Sequence, residues 1–314
     1  MNVLVTGGGL VGAQVARLMQ ESGHTPVVFD LNPDRASLAD HIDIAAAVIV
    51  QGDLLDLTSV EKAVKDNEVR RIVHTAAFPG LTAGALANPI GNVQVNVLGT
   101  AHVLEAARRH DVERVVLCSS SAAYSVMGGK DNGQADAEDA YPRPSSIYAM
   151  SKKAAEDLGM VYAKSYDMEV IAVRFARVFG PLRRGGGGMA TVEMEGYLRD
   201  ALAGKPVEVE PSRREWIYCK DAAGSAHHAC WADLSGFPDR VFNVGIGVAD
   251  SGDDLAAALR SAVPDAAVTV RATGMPDTVP MSPHRTRTVL GFTPRYPLPA
   301  AFADYRQWIE STAS

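Results

Sequence analysis

Tyr148 and Lys152, four residues apart in YAMSK, form the most chemically suggestive pair in the chain. The stretch that follows, AAEDLGMVYAKSY, has helical character, and four-residue spacing on a helix puts both side chains on one face. A free phenol titrates near 10 and is a poor proton acceptor at neutral pH. A nearby ammonium favours the phenolate, so the two together make a workable acid/base. YxxxK also arises by chance in helices, so its meaning depends on what accompanies it. Cys118 to Tyr124 reads CSSSAAY at the end of an apolar run. A serine hydroxyl there could hold a substrate oxygen against Tyr148, although a serine-rich strand end can equally satisfy loop backbone.

A second constellation lies at the start of the chain. Val5 to Gly12 reads VTGGGLVG, with Gly7, Gly9 and Gly12 spaced GxGxxG between a β-branched run and a helical stretch. Glycines at these positions allow a tight turn, close approach of backbone to a pyrophosphate, and close packing of helix on strand. Leu10 and Val11 complete the turn, where the free N–H groups and positive dipole end of the helix face phosphates. Asp30 closes the next apolar run, where it can accept hydrogen bonds from the adenosine ribose and repel a 2′-phosphate. NAD is therefore expected rather than NADP; a turn or helix-cap aspartate is the alternative. Asp53 and Leu54 follow the third run where a side chain can reach the adenine amino group, though Gly-Asp is also an ordinary turn.

The elements that must position these residues alternate. Near-continuous apolar runs at 2–6, 26–30, 47–51, 71–77 and 114–120 read as strands buried on both faces, separated by helical stretches beginning at Val11 and Asn92. This repetition predicts a doubly wound parallel sheet, an α/β Rossmann fold, with further strands at 169–175 and 240–245. After Phe175 glycine, proline and arginine become frequent. The expected organisation is thus a nucleotide-binding domain over 1–175, rejoined by the strand at 240–245, with a smaller substrate-binding region over 176–238 and 251–314.

Composition narrows the functions. With 314 residues, 47% of them hydrophobic, the chain can bury a sizeable core. A net charge of -7 argues against a general binder of nucleic acid or membrane surface. The first residues, MNVLVTGGGL, carry no charged leader before a long apolar stretch, and no run reaches about 18 apolar residues, so a cytoplasmic protein is expected. Cys118, Cys219 and Cys230 are widely spaced and odd in number, which suits a reducing compartment. No Cys/His set has zinc spacing, so no metal is expected; His227 and His228 read as surface or packing histidines.

Taken in order, VTGGGLVG, Asp30, GDL at 52–54, HTAA at 74–77, VNVLGT with Asn96, SSSAAY, YAMSK, VRFARVFGP at 173–181 and REWIYCKDAA at 214–223 resemble the NAD-dependent epimerase/dehydratase family, the extended short-chain dehydrogenase/reductases, over nearly the whole chain. The resemblance implies a catalytic Ser-Tyr-Lys set. Counting back from Tyr124 puts Ser120 at the family's Ser/Thr position, with Ser121 as the second candidate. It implies that Tyr148 exchanges the hydroxyl proton while hydride passes to or from the nicotinamide, and that Lys152 also holds the nicotinamide ribose. It further implies that Ala76, Ala77 and Asn96 line the cofactor groove, that Phe175 and Ala176 lie near the nicotinamide, and that the helices at 92–109 and 147–166 pair in a homodimer.

Departures from the family pattern bear on the substrate. The glycine turn is one residue shorter than TGxxGxxG, Arg177 replaces the Asn of LRxxNVYGP, and EPSRREW replaces the longer GDGxQxRDF. The last two weigh against a nucleoside-diphosphate sugar. Ser121 and Ala122 stand where dehydratases carry Asp-Glu, which disfavours dehydration. Arg177, Arg183, Arg184, Arg213 and Arg214 cluster in the region expected to cap the nicotinamide, and arginine grips carboxylate or phosphate by a two-point fork. The expected substrate is therefore a small anionic molecule, with Ser120, Ser121, Arg177 and Arg214 as its contacts. An epimerase acting on an anionic sugar or sugar nucleotide leads, followed by a dehydrogenase of a sugar or hydroxy acid that releases NADH. A non-catalytic NAD(H) sensor is the reading from another class.

Overall fold

A computed structural model of the chain describes residues 1–124, 138–140, 142–182 and 188–312. The apolar runs become strands β1 (Asn2–Thr6), β2 (Thr25–Asp30), β3 (Val48–Gln51), β4 (Val69–His74), β5 (Arg114–Ser120) and β6 (Val170–Phe175). The run at 240–245 supplies β10 (Val241–Val244), and outside the expected runs lie β7 (Arg177–Phe179), β8 (Val207–Val209), β9 (Trp216–Tyr218) and β11 (Val268–Val270). Seven strands form one parallel sheet in the order β10-β6-β5-β4-β1-β2-β3. The strand order reverses between β1 and β4, and in such sheets the crevice beyond the carboxyl ends at that point receives ligands.

Helices cover both faces, as near-continuous apolar strands require. Leu10–Glu21 and Cys219–Trp231 pack together on one face; Leu57–Asp66, Gly99–Arg109 and Ile147–Tyr166 cover the other. Leu10–Glu21 begins on Gly9 without a side-chain cap, so its first N–H groups remain available to a ligand. Ile147–Tyr166, by contrast, is capped by Ser146, whose hydroxyl accepts from Ala149 N at 3.1 Å.

Two sequence expectations change. The helix expected from Asn92 is not uniform: α-turns over Pro89–Val93 and Gly99–Arg109 flank a π-turn at Gln94–Leu98, with Asn96 at its centre. The substrate-side region is also smaller than 176–238, because Cys219–Trp231 belongs to the main layer. Its face of Ala222, Ala223, Ala226 and Ala229, all fully buried, is small enough for close contact with Leu10–Glu21. What remains of that region holds two parallel strand pairs, β7 with β9 and β8 with β11. Helices Met189–Leu202, Gly252–Ala262 and Leu298–Thr312 surround them over a core containing Phe179, Tyr218, Phe302 and Tyr305.

Candidate active site

Tyr148 and Lys152 occupy the first turns of Ile147–Tyr166, both nearly buried, at the carboxyl end of β5. The Ser120 hydroxyl lies near enough to the Tyr148 phenol to favour its phenolate, and it accepts from Ala122 N at 3.2 Å. Ser121 instead opens a single 3-10 turn, Ser121–Ala123, so the geometry favours Ser120 of the two candidates. One turn beyond Lys152, Glu156 is held by both sides of Arg174, Nε to Oε2 at 2.9 Å and Nη2 to Oε1 at 2.6 Å, and Ser119 Oγ donates to it at 3.0 Å. That buried pair ties the helix to β5 and β6 and so fixes how far Tyr148 projects beyond the strand ends.

Burial pushes the Tyr148 phenol up to about 12, against the Ser120 hydroxyl, which pulls it down. The expectation that the Lys152 ammonium lowers this phenol therefore does not hold here. The Lys152 charge is not among the influences on the phenol, and burial lowers Lys152 itself, against the pull of Cys118 and Glu156. The lysine charge is felt instead at His74 and Cys118, where it opposes protonation of the imidazole and favours the thiolate.

At the far end of the crevice the glycine turn folds tightly. Gly7 has φ +82°, and a Cβ there would lie 2.9 Å from Ala76 Cα; at Gly12 a Cβ would fall 1.8 Å from Gly7 O. A Cβ at Gly9 meets nothing within 4 Å, so that residue faces open space. Asp30 accepts from Gly8 N at 2.7 Å through Oδ2 and from Asn32 N at 2.9 Å through Oδ1, closing the turn onto the end of β2. Asn96 accepts from Phe78 N at 2.7 Å and donates to Ser151 Oγ at 2.9 Å, which places it between the strip after Ala76 and Ala77 and the helix Ile147–Tyr166. Asp53 is exposed and accepts from Leu55 N at 2.9 Å, while the Leu54 side chain packs into the core. Phe175 and Ala176 are buried where β6 ends, with Ala176 N bonded to Val244 O at 2.9 Å.

Across the cleft, the arginines divide. Arg183 and Arg184 lie outside the described residues. Arg213 is exposed and bonds Ala249 O at 3.2 Å. Arg214 is 6% exposed; its Nη1 donates to Arg213 O at 2.8 Å and Pro276 O at 2.7 Å, which leaves the rest of a rigidly held fork. Arg177 lies over the Trp216 ring at 4.9 Å with Nη2 3.7 Å from Glu193 Oε2, and its buried Nε has no partner among the described residues. Burial lowers the Arg177 pKa, Glu193 opposes that shift and the neighbouring Arg214 adds to it. The two cations thus lie close enough to feel each other's charge.

The family model for the NAD dependent epimerase/dehydratase family matches residues 3–245. The chain belongs to that family. UDP-glucuronate 4-epimerase 1 of Arabidopsis thaliana is 27% identical over 78% of this chain, which spans 61% of that relative's length. Among solved structures, the UDP-glucose 4-epimerase of Thermus thermophilus in complex with NAD is 25% identical, with a TM-score of 0.82 over 99% of both chains. MoeE5 in complex with UDP-glucose and NAD is 28% identical, with a TM-score of 0.78 over 100% of both chains.

The protein is accordingly an NAD-dependent enzyme of the epimerase/dehydratase family, and its groove fits that cofactor. The uncapped helix start, the open space at Gly9 and the tight Gly7–Gly12 contact form a pyrophosphate cradle, and Asp30 retains lone pairs for ribose hydroxyls. Among the described residues no group of three or more His, Cys, Asp or Glu could hold a metal ion, and no helix is long and apolar enough to cross a membrane. Sequence reasoning missed Thr6, Ser151, Glu156, Arg174 and Glu193. Ser151 stood inside YAMSK, whereas Glu156 and Arg174 carry no local signal because their meaning lies in a contact across 18 residues.

Proposed function

We propose that the protein is an epimerase-type oxidoreductase that oxidises a secondary hydroxyl of an anionic sugar nucleotide of the uridine-diphosphate class, with Tyr148 as acid/base. The observation that carries this reading is the meeting of Ser120, at the carboxyl end of β5, with Tyr148 and Lys152, buried one turn apart at the start of helix Ile147–Tyr166. Bound NAD supplies a hydride acceptor that can return the hydride to either face of the sugar carbon. Ser120 orients the reacting hydroxyl, Tyr148 takes its proton and gives it back, and Lys152 holds the nicotinamide ribose. The names of the relatives, UDP-glucuronate and UDP-glucose 4-epimerases, support the substrate class. The short segment at 210–216 is no obstacle: Glu210 accepts from Met275 N at 2.7 Å and Arg213 N donates to Asp277 at 2.7 Å, so a second loop braces Arg214 where a diphosphate would need it. Arg177 then grips the remaining anionic group by its fork.

The reading includes a cytoplasmic homodimer. Leu98, Met150 and Val161, on the helices expected to pair, are 46%, 42% and 58% exposed, which supports that contact. The test of function is incubation with UDP-glucuronate and with UDP-glucose, following the sugar by proton NMR and free NADH by absorbance. The 4-epimer without free NADH is expected. NADH released in step with product would establish the dehydrogenase instead, and no turnover of either substrate would sink the substrate assignment.

A further inference from the structure

A buried run of hydrogen bonds crosses the molecule between the two halves of the site. Ala76 N lies 3.5 Å from Thr6 Oγ1, Thr6 Oγ1 is 2.6 Å from His74 Nδ1, and His74 Nε2 is 3.0 Å from Thr100 Oγ1. Thr100 Oγ1 reaches Asn96 O at 2.6 Å, Asn96 Nδ2 reaches Ser151 Oγ at 2.9 Å, and Ser151 Oγ reaches Tyr148 O at 2.9 Å. Thr6, His74, Asn96, Thr100 and Ser151 are all 4% exposed or less, so water does not complete these bonds.

Counting hydrogens fixes the direction of each bond. A carbonyl only accepts, so Thr100 uses its one proton on Asn96 O and must accept from His74. The imidazole proton therefore sits on Nε2, and Nδ1 accepts from Thr6, whose oxygen is then free to accept from Ala76 N–H. Ser151 likewise uses its proton on Tyr148 O and accepts from Asn96, whose own oxygen takes the Phe78 N–H at 2.7 Å. One tautomer and one amide orientation satisfy the entire run; no other choice does.

We propose that His74, with its proton on Nε2, is a positioning residue that couples the floor of the nucleotide groove to the first turn of the catalytic helix through this run. Thr6 lies immediately before the glycine turn, Ala76 abuts Gly7, and Tyr148 O belongs to the acid/base residue itself. The π-turn brings Asn96 into the run by presenting its carbonyl to Thr100 and its amide to Ser151. Burial, with the Lys152 charge adding, pushes His74 down to about 3, so the imidazole stays neutral and the run keeps its direction through the working pH range. The inference rests on the reading of Tyr148 as acid/base only for its catalytic consequence; the wiring of the imidazole does not.

The experiment has two arms. In the first, the ring nitrogens of His74 in the intact protein are followed by ¹⁵N NMR between pH 5.5 and 8.5. A neutral ring protonated on Nε2 is expected throughout, and a proton on Nδ1 or a charged ring overturns the inference whatever the substrate proves to be. The second is a double-mutant cycle between His74→Leu and Ser151→Ala, with Thr100→Val replacing His74→Leu if that variant fails to fold. Each single change is expected to lower kcat about 10- to 100-fold with KM nearly unchanged, as a small misplacement of the acid/base does. The double variant should be little worse than the poorer single one, because either change interrupts the same run. His74→Gln, which keeps a donor and an acceptor, should recover part of the loss. Losses that multiply, or a kcat unmoved in folded single variants, overturn the positioning role. Absence of turnover in the unmutated protein would count against the reading of Tyr148, and the NMR arm would still decide the wiring.

Discussion

The two walls of the cleft are built differently. On the nucleotide wall the polar groups bind one another: Asp30 takes two backbone amides, Thr75 Oγ1 donates to Thr6 O at 2.7 Å, and His74 is bonded at both ring nitrogens. On the substrate wall Arg177 keeps a buried Nε without a partner among the described residues, and the Arg214 guanidinium is held by carbonyls through Nη1. The first wall grips a constant ligand by shape and backbone, so it can be finished before the ligand arrives. On the proposed function the second holds charge whose further compensation comes with the substrate. The difference teaches where specificity resides: exchanging groups on the first wall should destroy function broadly, and on the second it should retune which anion binds.

The largest expected effect tests the first wall at its reactive point. Tyr148→Phe removes only an oxygen and should lower kcat by about 10²- to 10⁴-fold while NAD affinity, measured by titration calorimetry, stays within a few fold. Unchanged turnover would remove Tyr148 from the chemistry. Next comes the buried pair beneath it. Glu156→Gln leaves the Arg174 charge buried without its counterion and should cost about 3–5 kcal/mol in urea unfolding. A loss under about 1 kcal/mol would mean the pair behaves like a surface one.

The same contrast explains how much was legible in the sequence. The glycine turn could be read because its geometry forbids other residues: a Cβ at Gly12 would strike Gly7 O at 1.8 Å. The strands could be read because burial on both faces demands unbroken apolar runs, and β1 shows it with Val3, Leu4 and Val5 all at 0% exposure. The upward shift of Tyr148 is not legible in the sequence, because spacing reveals a neighbouring charge and not burial. The arginines were seen, but their partners were not. Glu193 and Pro276 meet Arg177 and Arg214 only through folding of the substrate-side region, and no periodicity announces such contacts. The helix Cys219–Trp231 is not legible as part of the main layer, because an alanine-rich stretch has no strong amphipathic pattern to declare which core it joins.

A pH effect sharpens the comparison from the substrate side. Glu215, 5% exposed between Arg214 and Trp216, accepts from Gly247 N at 2.7 Å and Met281 N at 2.8 Å. Burial pushes its carboxyl up to about 7, against those two amides. A folded-state pKa above the ordinary value means stability that is fully present below about pH 4.5 and is lost as pH rises through 7. The shift corresponds to a loss on the order of 3 kcal/mol. Asp250, pushed by burial up to about 6, contributes in the same direction. Glu215→Gln should therefore remove the larger part of the fall in unfolding free energy between pH 5 and 7, measured by urea titration at each pH. An unaltered slope would assign it to Asp250.

The smallest effects belong to the charge held in reserve. Arg177→Ala removes a fork that reaches an anion only when substrate is present, so KM for an anionic sugar nucleotide should rise about tenfold, with kcat within a factor of two. A sugar nucleotide whose sugar carries no carboxylate should show a smaller change, which separates recognition of the sugar's anionic group from general damage to the cleft. Glu193 sits 3.7 Å from that guanidinium and competes with the substrate for it, while Tyr197 OH donates to its other oxygen at 2.9 Å. Glu193→Gln keeps an acceptor for Tyr197 but withdraws the competing charge. Because a partly exposed pair is worth under about 1 kcal/mol, KM for the anionic substrate should fall only two- to fivefold. Opposite signs for the two substitutions would show that the substrate's anion and Glu193 share one guanidinium; a rise in both would make the pair part of the framework and leave the two walls alike.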